Sequence, residues 1–250
     1  MGAYNTFFYN NLHVGSLKSA EIIVPLLIDL IKPKSVIDIG CGIGSWLSVF
    51  KKLGIEDIFG VDGDWVKKEM LVIPPEQFLA VDLKKPFCLE RQFDLAISLE
   101  VAEHLPPSSA PLFVESLAST APVIFFSAAI PFQGGVKHIN EQWPDYWNHY
   151  FREQGYMAID CIRKRIWLNN DVDYFYAQNS LVFAKSELFD INTILKIEYD
   201  KTAHEMLSLV HPRRYLSIFN DPRTFGLRNL LSAIPLMIKN SINIRVRKYF

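Results

Sequence analysis

The sequence is poor in cysteine, in glycine, in net charge and in long apolar runs. Its three cysteines, Cys41, Cys88 and Cys161, are scattered and odd in number. They form no Cys-x-x-Cys or Cys/His spacing that would hold zinc. Nor do they make a disulfide framework, so a reducing compartment is expected. Gly (12) and Pro (14) are too few for a collagen-like or low-complexity chain. A formal net charge of −1 at pH 7 argues against a uniformly basic nucleic-acid binder. The longest apolar runs, residues 22–31, 121–131 and 230–238, fall short of the ~20 residues that span a bilayer. The first residues, Met1-Gly2-Ala3-Tyr4-Asn5, show no basic region leading into an apolar stretch, so no signal peptide is expected and the chain reads as cytoplasmic.

What the chain does have is a core. Hydrophobic residues are 50% and charged residues 21% of 250, the balance of a globular domain. Apolar spacing predicts a helix over residues 16–31, with Ala20, Ile23, Leu27 and Leu30 on one face. Strands are expected at 35–40, 57–62, 78–81, 93–99 and 122–127, with helices at 45–53 and 108–119 between them. Alternating β and α segments with continuous apolar strands point to a largely parallel sheet covered on both faces. A helix at 144–153 and strands at 156–162 and 178–184 follow. Residues 187–250 read as a helical appendage, so the expected division is 1–186 and 187–250. One stripe there is Ala203, Met206, Leu207 and Val210; another is Leu227, Leu230, Leu231 and Ile234. Residues 211–250 carry eight Lys/Arg against one acid, Asp221, leaving −8 on the first 210 residues.

The strongest signal is Val36-Ile37-Asp38-Ile39-Gly40-Cys41-Gly42-Ile43-Gly44. A buried strand feeds a glycine turn, which feeds a helix. Glycine permits positive φ and close approach of a ligand to the backbone, and helix N-terminal amides face that ligand. Asp62 ends the next strand, where an acid accepts hydrogen bonds from ribose hydroxyls. The dinucleotide pattern G-x-G-x-x-G would require glycine or alanine at position 45, and this chain has Ser45. A carboxylate at Asp38, two residues before the first glycine, suits a cationic ligand better than a pyrophosphate.

DIGCGIG resembles the first motif of the class I S-adenosylmethionine (SAM) methyltransferases. VDGDW at 61–65 resembles their acidic second motif, AVDLKKPF at 80–87 the third, and FDLAISLEVAEHLPP at 93–107 the fourth-strand segment. The resemblance spans about residues 16–185. It implies a three-layer α/β/α Rossmann-like methyltransferase sheet, mostly parallel with an antiparallel strand near the C-terminal end, plus the mainly helical appendage. It implies SAM as cofactor and S-adenosylhomocysteine as product. By position, Asp38, Gly40, Cys41, Gly42 and Gly44 would line the methionine end. Asp62 would hold ribose, with Gly63, Asp64 and Trp65 near adenine. Asp82 and Leu83 would frame the adenine ring, and Leu99 and Glu100 would end the fourth strand near the transferring methyl.

The acceptor is expected beyond strands four and five, where residues 131–144 are dense in polar groups. Carboxamides and indoles suit carbohydrate, and HINEQWPDYW at 138–147 resembles a segment in glycan-associated methyltransferases. His104, His138, Asn140, Glu141, Gln142 and Trp143 are therefore the candidate substrate contacts. His138 and Glu100 are the candidate catalytic groups, since an imidazole takes a proton near neutral pH. Trp147, Tyr150 and Phe151, at helical spacing, read as core. Glu141, Asp145, Asp171 and Asp173 match no tight cation motif, so no metal is expected. The expected partner is a sugar in a glycan or glycan precursor, with no nucleic acid. A lipid, quinone or other small metabolite is the rival acceptor, and a non-catalytic SAM-fold partner protein the rival class. The basic tail, 226–250, has two readings: packing on the catalytic domain or on a second subunit as a homodimer, or weak contact with an anionic membrane surface.

Overall fold

The computed structural model describes residues 6–220, 231–235 and 237–238. Seven strands form one sheet: β1 (Ser35–Ile39), β2 (Asp57–Asp62), β3 (Phe78–Ala80), β4 (Leu95–Leu99), β5 (Val123–Ser127), β6 (Tyr156–Ile159) and β7 (Leu181–Lys185). Their order is β3-β2-β1-β4-β5-β7-β6. Every pairing is parallel except those of β7, which runs antiparallel to both β5 and β6. This is the three-layer Rossmann-like arrangement expected, with the reversed strand near its C-terminal end.

Strand side chains alternate between two cores, as a pleated sheet requires. Val36, Leu95, Ile97, Val123 and Phe125 face one core. Ile37, Ile39, Ala96, Ile124 and Phe126 face the other. The first core is closed by α1 (Thr6–Ile31) and α2 (Ser45–Lys52), the second by α3 (Ala110–Thr120) and α4 (Pro144–Glu153). In α1 the buried residues Ala20, Ile23, Val24, Leu27 and Leu30 recur at helical spacing. The helix begins ten residues before the predicted start, because the apolar spacing that marks its second half does not extend over residues 6–15.

Two short helices, α5 (Arg163–Ile166) and α6 (Tyr174–Asn179), lie between β6 and β7. The predicted strand at 178–184 starts later because Gln178 and Asn179 still belong to α6. Next comes α7 (Thr193–Asp200), whose Leu195 joins the first core. The first compact unit therefore runs from Met1 to His211, past the boundary expected at residue 186. The expected helical stripe over 203–210 is absent. Leu207 is buried, but Met206 and Val210 are exposed and helical geometry is limited to one short turn, His204–Met206. The Leu207 carbonyl instead accepts a hydrogen bond from Arg163 Nη1 at 2.7 Å.

The second unit is residues 212–250, of which α8 (Pro212–Asn220) and the helical residues 231–235 and 237–238 are described. Leu227, Leu230 and the predicted alternation at 242–247 lie outside the described residues. Among those described, no helix is long and apolar enough to cross a membrane.

Candidate active site

In an open parallel sheet, ligands bind beyond the carboxyl ends of the strands, where strand order reverses. That point is the crevice between β1 and β4. The loops after β1, β2, β3, β4 and β5 all leave from this edge, which is why the four separated motifs and the segment after β5 meet.

The turn after β1 is built on three glycines in the left-handed region: Gly40 (φ 87°), Gly42 (φ 54°) and Gly44 (φ 91°). They do different work. A Cβ at Gly40 would fall 2.2 Å from Val101, and one at Gly44 would fall 2.9 Å from Ile73. These two let neighbouring elements close on the turn. A Cβ at Gly42 would meet nothing within 4 Å, so that glycine borders open space. Gly40 N–H donates to the Val61 carbonyl at 2.7 Å, pinning the turn to β2. Cys41 is buried, and its Sγ packs toward Gly60 of β2, so its side chain does not face the opening.

Asp62 closes the other side. Its Oδ2 accepts the Gly42 N–H at 2.7 Å and its Oδ1 the Gly63 N–H at 2.6 Å. Burial pushes its carboxyl above the ordinary range, and the two amide bonds partly offset this. Asp38, on β1, is almost wholly buried; burial first and the Asp62 charge second push it well above the usual carboxylate value. Two desolvated acids beside an open glycine cradle form a site that a cationic, hydroxyl-bearing ligand would complete. The sulfonium, ammonium and ribose of SAM are groups that these carboxylates would suit, Asp38 being the residue that would face the cationic end and Asp62 the one that would face the ribose. The remaining adenine-side candidates divide. The Trp65 indole is half exposed and lies against Gly63, Leu83 is buried, and Asp64 is exposed. The Asp82 carboxylate is turned to its own loop, accepting the Lys84 N–H at 3.2 Å. Its segment is nonetheless tied to the site, because Val81 N–H donates to the Asp62 carbonyl at 2.7 Å.

Leu99 ends β4, and Glu100 follows in the left-handed region at φ 55°, a conformation that costs a non-glycine residue of order 1 kcal/mol or more and persists only where its surroundings hold it. Here Glu100 N–H donates to the Ser127 carbonyl at 3.0 Å. Its Oε2 accepts from Gln133 Nε2 at 2.9 Å and its Oε1 from Asn179 Nδ2 at 3.0 Å. Burial raises the Glu100 carboxyl above its ordinary value against the opposing pull of these bonds. Gln133 and Asn179 were not among the predicted site residues. Gln133 lies within the segment singled out for its polarity. For Asn179 the available signal was the polar run Gln178-Asn179-Ser180 directly before an apolar strand.

The segment after β5 brings the acceptor-side candidates together. His138 Nδ1 and Glu141 Oε1 are 3.0 Å apart, and the same oxygen accepts the Gly134 N–H at 2.7 Å. The rings of His138 and His104 meet edge to face, centroids 4.8 Å apart. Burial, then His138, lowers the His104 pKa. Glu103 is fully buried beneath them, and neither of its carboxylate oxygens has a hydrogen-bond partner. Burial and the neighbouring Glu100 charge push its carboxyl well above the usual range. Asn140 is buried and braces this corner, its N–H on the Glu103 carbonyl at 3.1 Å and its Oδ1 accepting from Gln142 Nε2 at 3.0 Å. Trp143 is 41% exposed just before α4, whereas Trp147 and Phe151 are core.

The described fold is shared with solved methyltransferases. A sugar N-methyltransferase, KedS8 from a Streptoalloteichus species, is 13% identical with a TM-score of 0.56, covering 74% of this chain and 94% of its own. DesVI from Streptomyces venezuelae is 13% identical with a TM-score of 0.54, covering 74% of this chain and all of its own. The magnesium protoporphyrin IX methyltransferase of Synechocystis, with SAM bound, is 20% identical with a TM-score of 0.52, covering 74% and 87%. At these identities the likeness concerns the fold. No curated protein is significantly similar in sequence. The model of the methyltransferase domain matches residues 17–163, which takes in every loop just described: the chain belongs to the methyltransferase domain family.

Proposed function

We propose that the chain is a SAM-dependent O-methyltransferase acting on a hydroxyl of a sugar in a glycan or glycan precursor. The observation that carries this reading is the buried polar corner beyond β4 and β5. There Glu100, His138 and Glu141 stand together beside the glycine cradle. An alcohol must lose its proton as it is methylated, so it needs a basic group within reach, whereas alignment and exclusion of water supply much of the rest. SAM supplies an electrophilic methyl on a sulfonium. Asp38 and Asp62 hold that donor, Glu100 marks the end of β4 where the methyl is delivered, and the proton leaves through the His138 corner. Glu141, held by the Gly134 amide, keeps the His138 ring in one orientation. Asn140 and Gln142 shape the floor, and Trp143 offers an exposed ring of the kind on which sugar C–H faces stack.

The same rim favours one other acceptor. Phe132 is 83% exposed, and Val136 and Ile139 are exposed beside it, an apolar edge suited to a lipid, quinone or other small metabolite. Solved members of the fold act on sugars and on a porphyrin, so fold does not choose between them. Incubation with methyl-labelled SAM and a panel of nucleotide sugars, oligosaccharides and quinols, followed by NMR location of the label, decides. Label on a sugar oxygen is the expected result. Label only on apolar acceptors overturns the sugar, and no transfer to any hydroxyl overturns O-methylation.

A further inference from the structure

We propose that Glu103, His104 and His138 form a binding site for a first-row divalent cation, on the acceptor side of the crevice. One ligand atom from each of the three lies within 4.8 Å of the others. Two ligands of one ion sit about 3.0–4.2 Å apart for bonds of about 2.1 Å, so the three groups converge on one point and side-chain movements of up to roughly 1–2 Å would draw them onto one ion. The second observation is Glu103 itself. It is 0% exposed, and both carboxylate oxygens lack a hydrogen-bond partner. Burying such a group without a partner costs several kcal/mol, and a cation between it and two imidazoles satisfies it.

The surroundings are those of a metal site. Metal-bound histidines characteristically give their other nitrogen to a carboxylate or carbonyl, which fixes the ring. His138 Nδ1 faces Glu141 Oε1 at 3.0 Å, and His104 Nδ1 faces the Lys137 carbonyl at 3.4 Å. Glu141 is in turn anchored by Gly134 N–H. Position 135 is glycine where any Cβ would fall 2.2 Å from His138 Nε2, so the loop is fitted to that ring. Glu100 faces the cluster from β4 and adds negative charge. Two imidazoles with carboxylate suit Mn²⁺, Co²⁺ or Zn²⁺ over Ca²⁺, which prefers six to eight oxygens.

This deepens the proposed function and rests on it for its consequence. Three protein ligands leave positions open on a five- or six-coordinate ion, and acceptor hydroxyl oxygens fill them. A hydroxyl so bound loses its proton more readily. His138 then holds the ion and does not take the proton; as the hydroxyl oxygen gains the methyl, its proton passes to Glu100, the carboxylate of the same corner that faces His138 and Glu103.

The test needs no acceptor. Chelator-stripped full-length protein is titrated with Co²⁺ and with Mn²⁺, read by visible absorption and by electron paramagnetic resonance. SAM affinity is measured on the same samples. One equivalent of either ion should bind, with Ca²⁺ at least tenfold weaker. Glu103→Gln and His104→Ala should each weaken Co²⁺ binding more than tenfold, and Glu141→Gln about tenfold. Wild-type protein that binds SAM but takes up less than about 0.2 equivalents of Co²⁺ overturns the cation site and leaves the methyltransferase reading intact. Uptake that neither Glu103→Gln nor His104→Ala reduces overturns it equally. Cation uptake without SAM binding would instead overturn the proposed function.

Discussion

Asp62 Oδ2 accepts the Gly42 N–H at 2.7 Å, joining the end of the second strand to the turn that follows the first. The acid expected to receive a ribose is thus also the brace of the glycine turn. Replacing it damages two things at once. Asp62→Ala should weaken SAM binding by about 1–3 kcal/mol, measured by titration calorimetry. An affinity unchanged within error would mean the donor lies elsewhere.

Gly42 separates turn geometry from ligand space. Gly42→Ala places a methyl where nothing lies within 4 Å, in a left-handed conformation at φ 54°. The backbone cost is about 1–2 kcal/mol, so the protein should remain folded at room temperature while SAM affinity collapses. Gly40→Ala, by contrast, drives into Val101 and should unfold the turn itself. Thermal melts with and without SAM distinguish the two.

Asp38 is raised well above the ordinary carboxylate value by burial and by Asp62. An acid whose folded pKa exceeds its unfolded one penalises the fold when ionised. The penalty is fully present above the folded pKa and is relieved as pH falls through it. Asp38→Asn should therefore raise the melting temperature of the ligand-free protein at pH 7 and reduce SAM affinity. A variant less stable than wild type at pH 7, with SAM affinity intact, would assign Asp38 to the fold instead of the donor site.

His138→Ala should lower kcat by roughly 10²–10⁴ while leaving SAM affinity nearly unchanged. This holds whether the imidazole takes the proton or holds an ion. Retention of most turnover would remove His138 from the chemistry.

Arg163 is 1% exposed, with Asp160 on two of its nitrogens at 2.7 and 2.9 Å and the Gln178 and Leu207 carbonyls on a third. Asp160→Ala strands a buried guanidinium and should cost about 3 kcal/mol in urea denaturation. A loss below 1 kcal/mol would show that water replaces the carboxylate.

The glycine-turn half of the candidate site was legible because its parts are local. Strand, glycine turn, helix and terminal acid succeed one another in sequence, and Asp38, Gly42 and Asp62 stand where that order puts them. The acceptor half was legible only as a segment. His138 and Glu141 are three residues apart and could be read together, but Asn179 reaches Glu100 across 79 positions. That contact exists because β7 enters the sheet in reverse beside β5, a pairing no nearby periodicity records. Glu103 sits in a common family segment and was passed over, since nothing in its neighbours marks it as buried without a partner. The stripe at 203–210 misled for a related reason: the Leu207 carbonyl is taken by Arg163 and not by a helix.

The strand order has an evolutionary consequence. Residues 128–155 leave β5 and return only at β6, on the outer edge, while β5 pairs with β4 and β7. The excursion passes over the position of β7 by way of α4 and itself joins no strand pairing. Its loop portion, residues 128–143, carries no strand register of its own and is held to the frame through Gln133 on Glu100 and Asn179 and through Asn140 on Glu103. On the proposed function, acceptor choice would diversify in this loop while the donor-side turns of β1 and β2 are inherited unchanged.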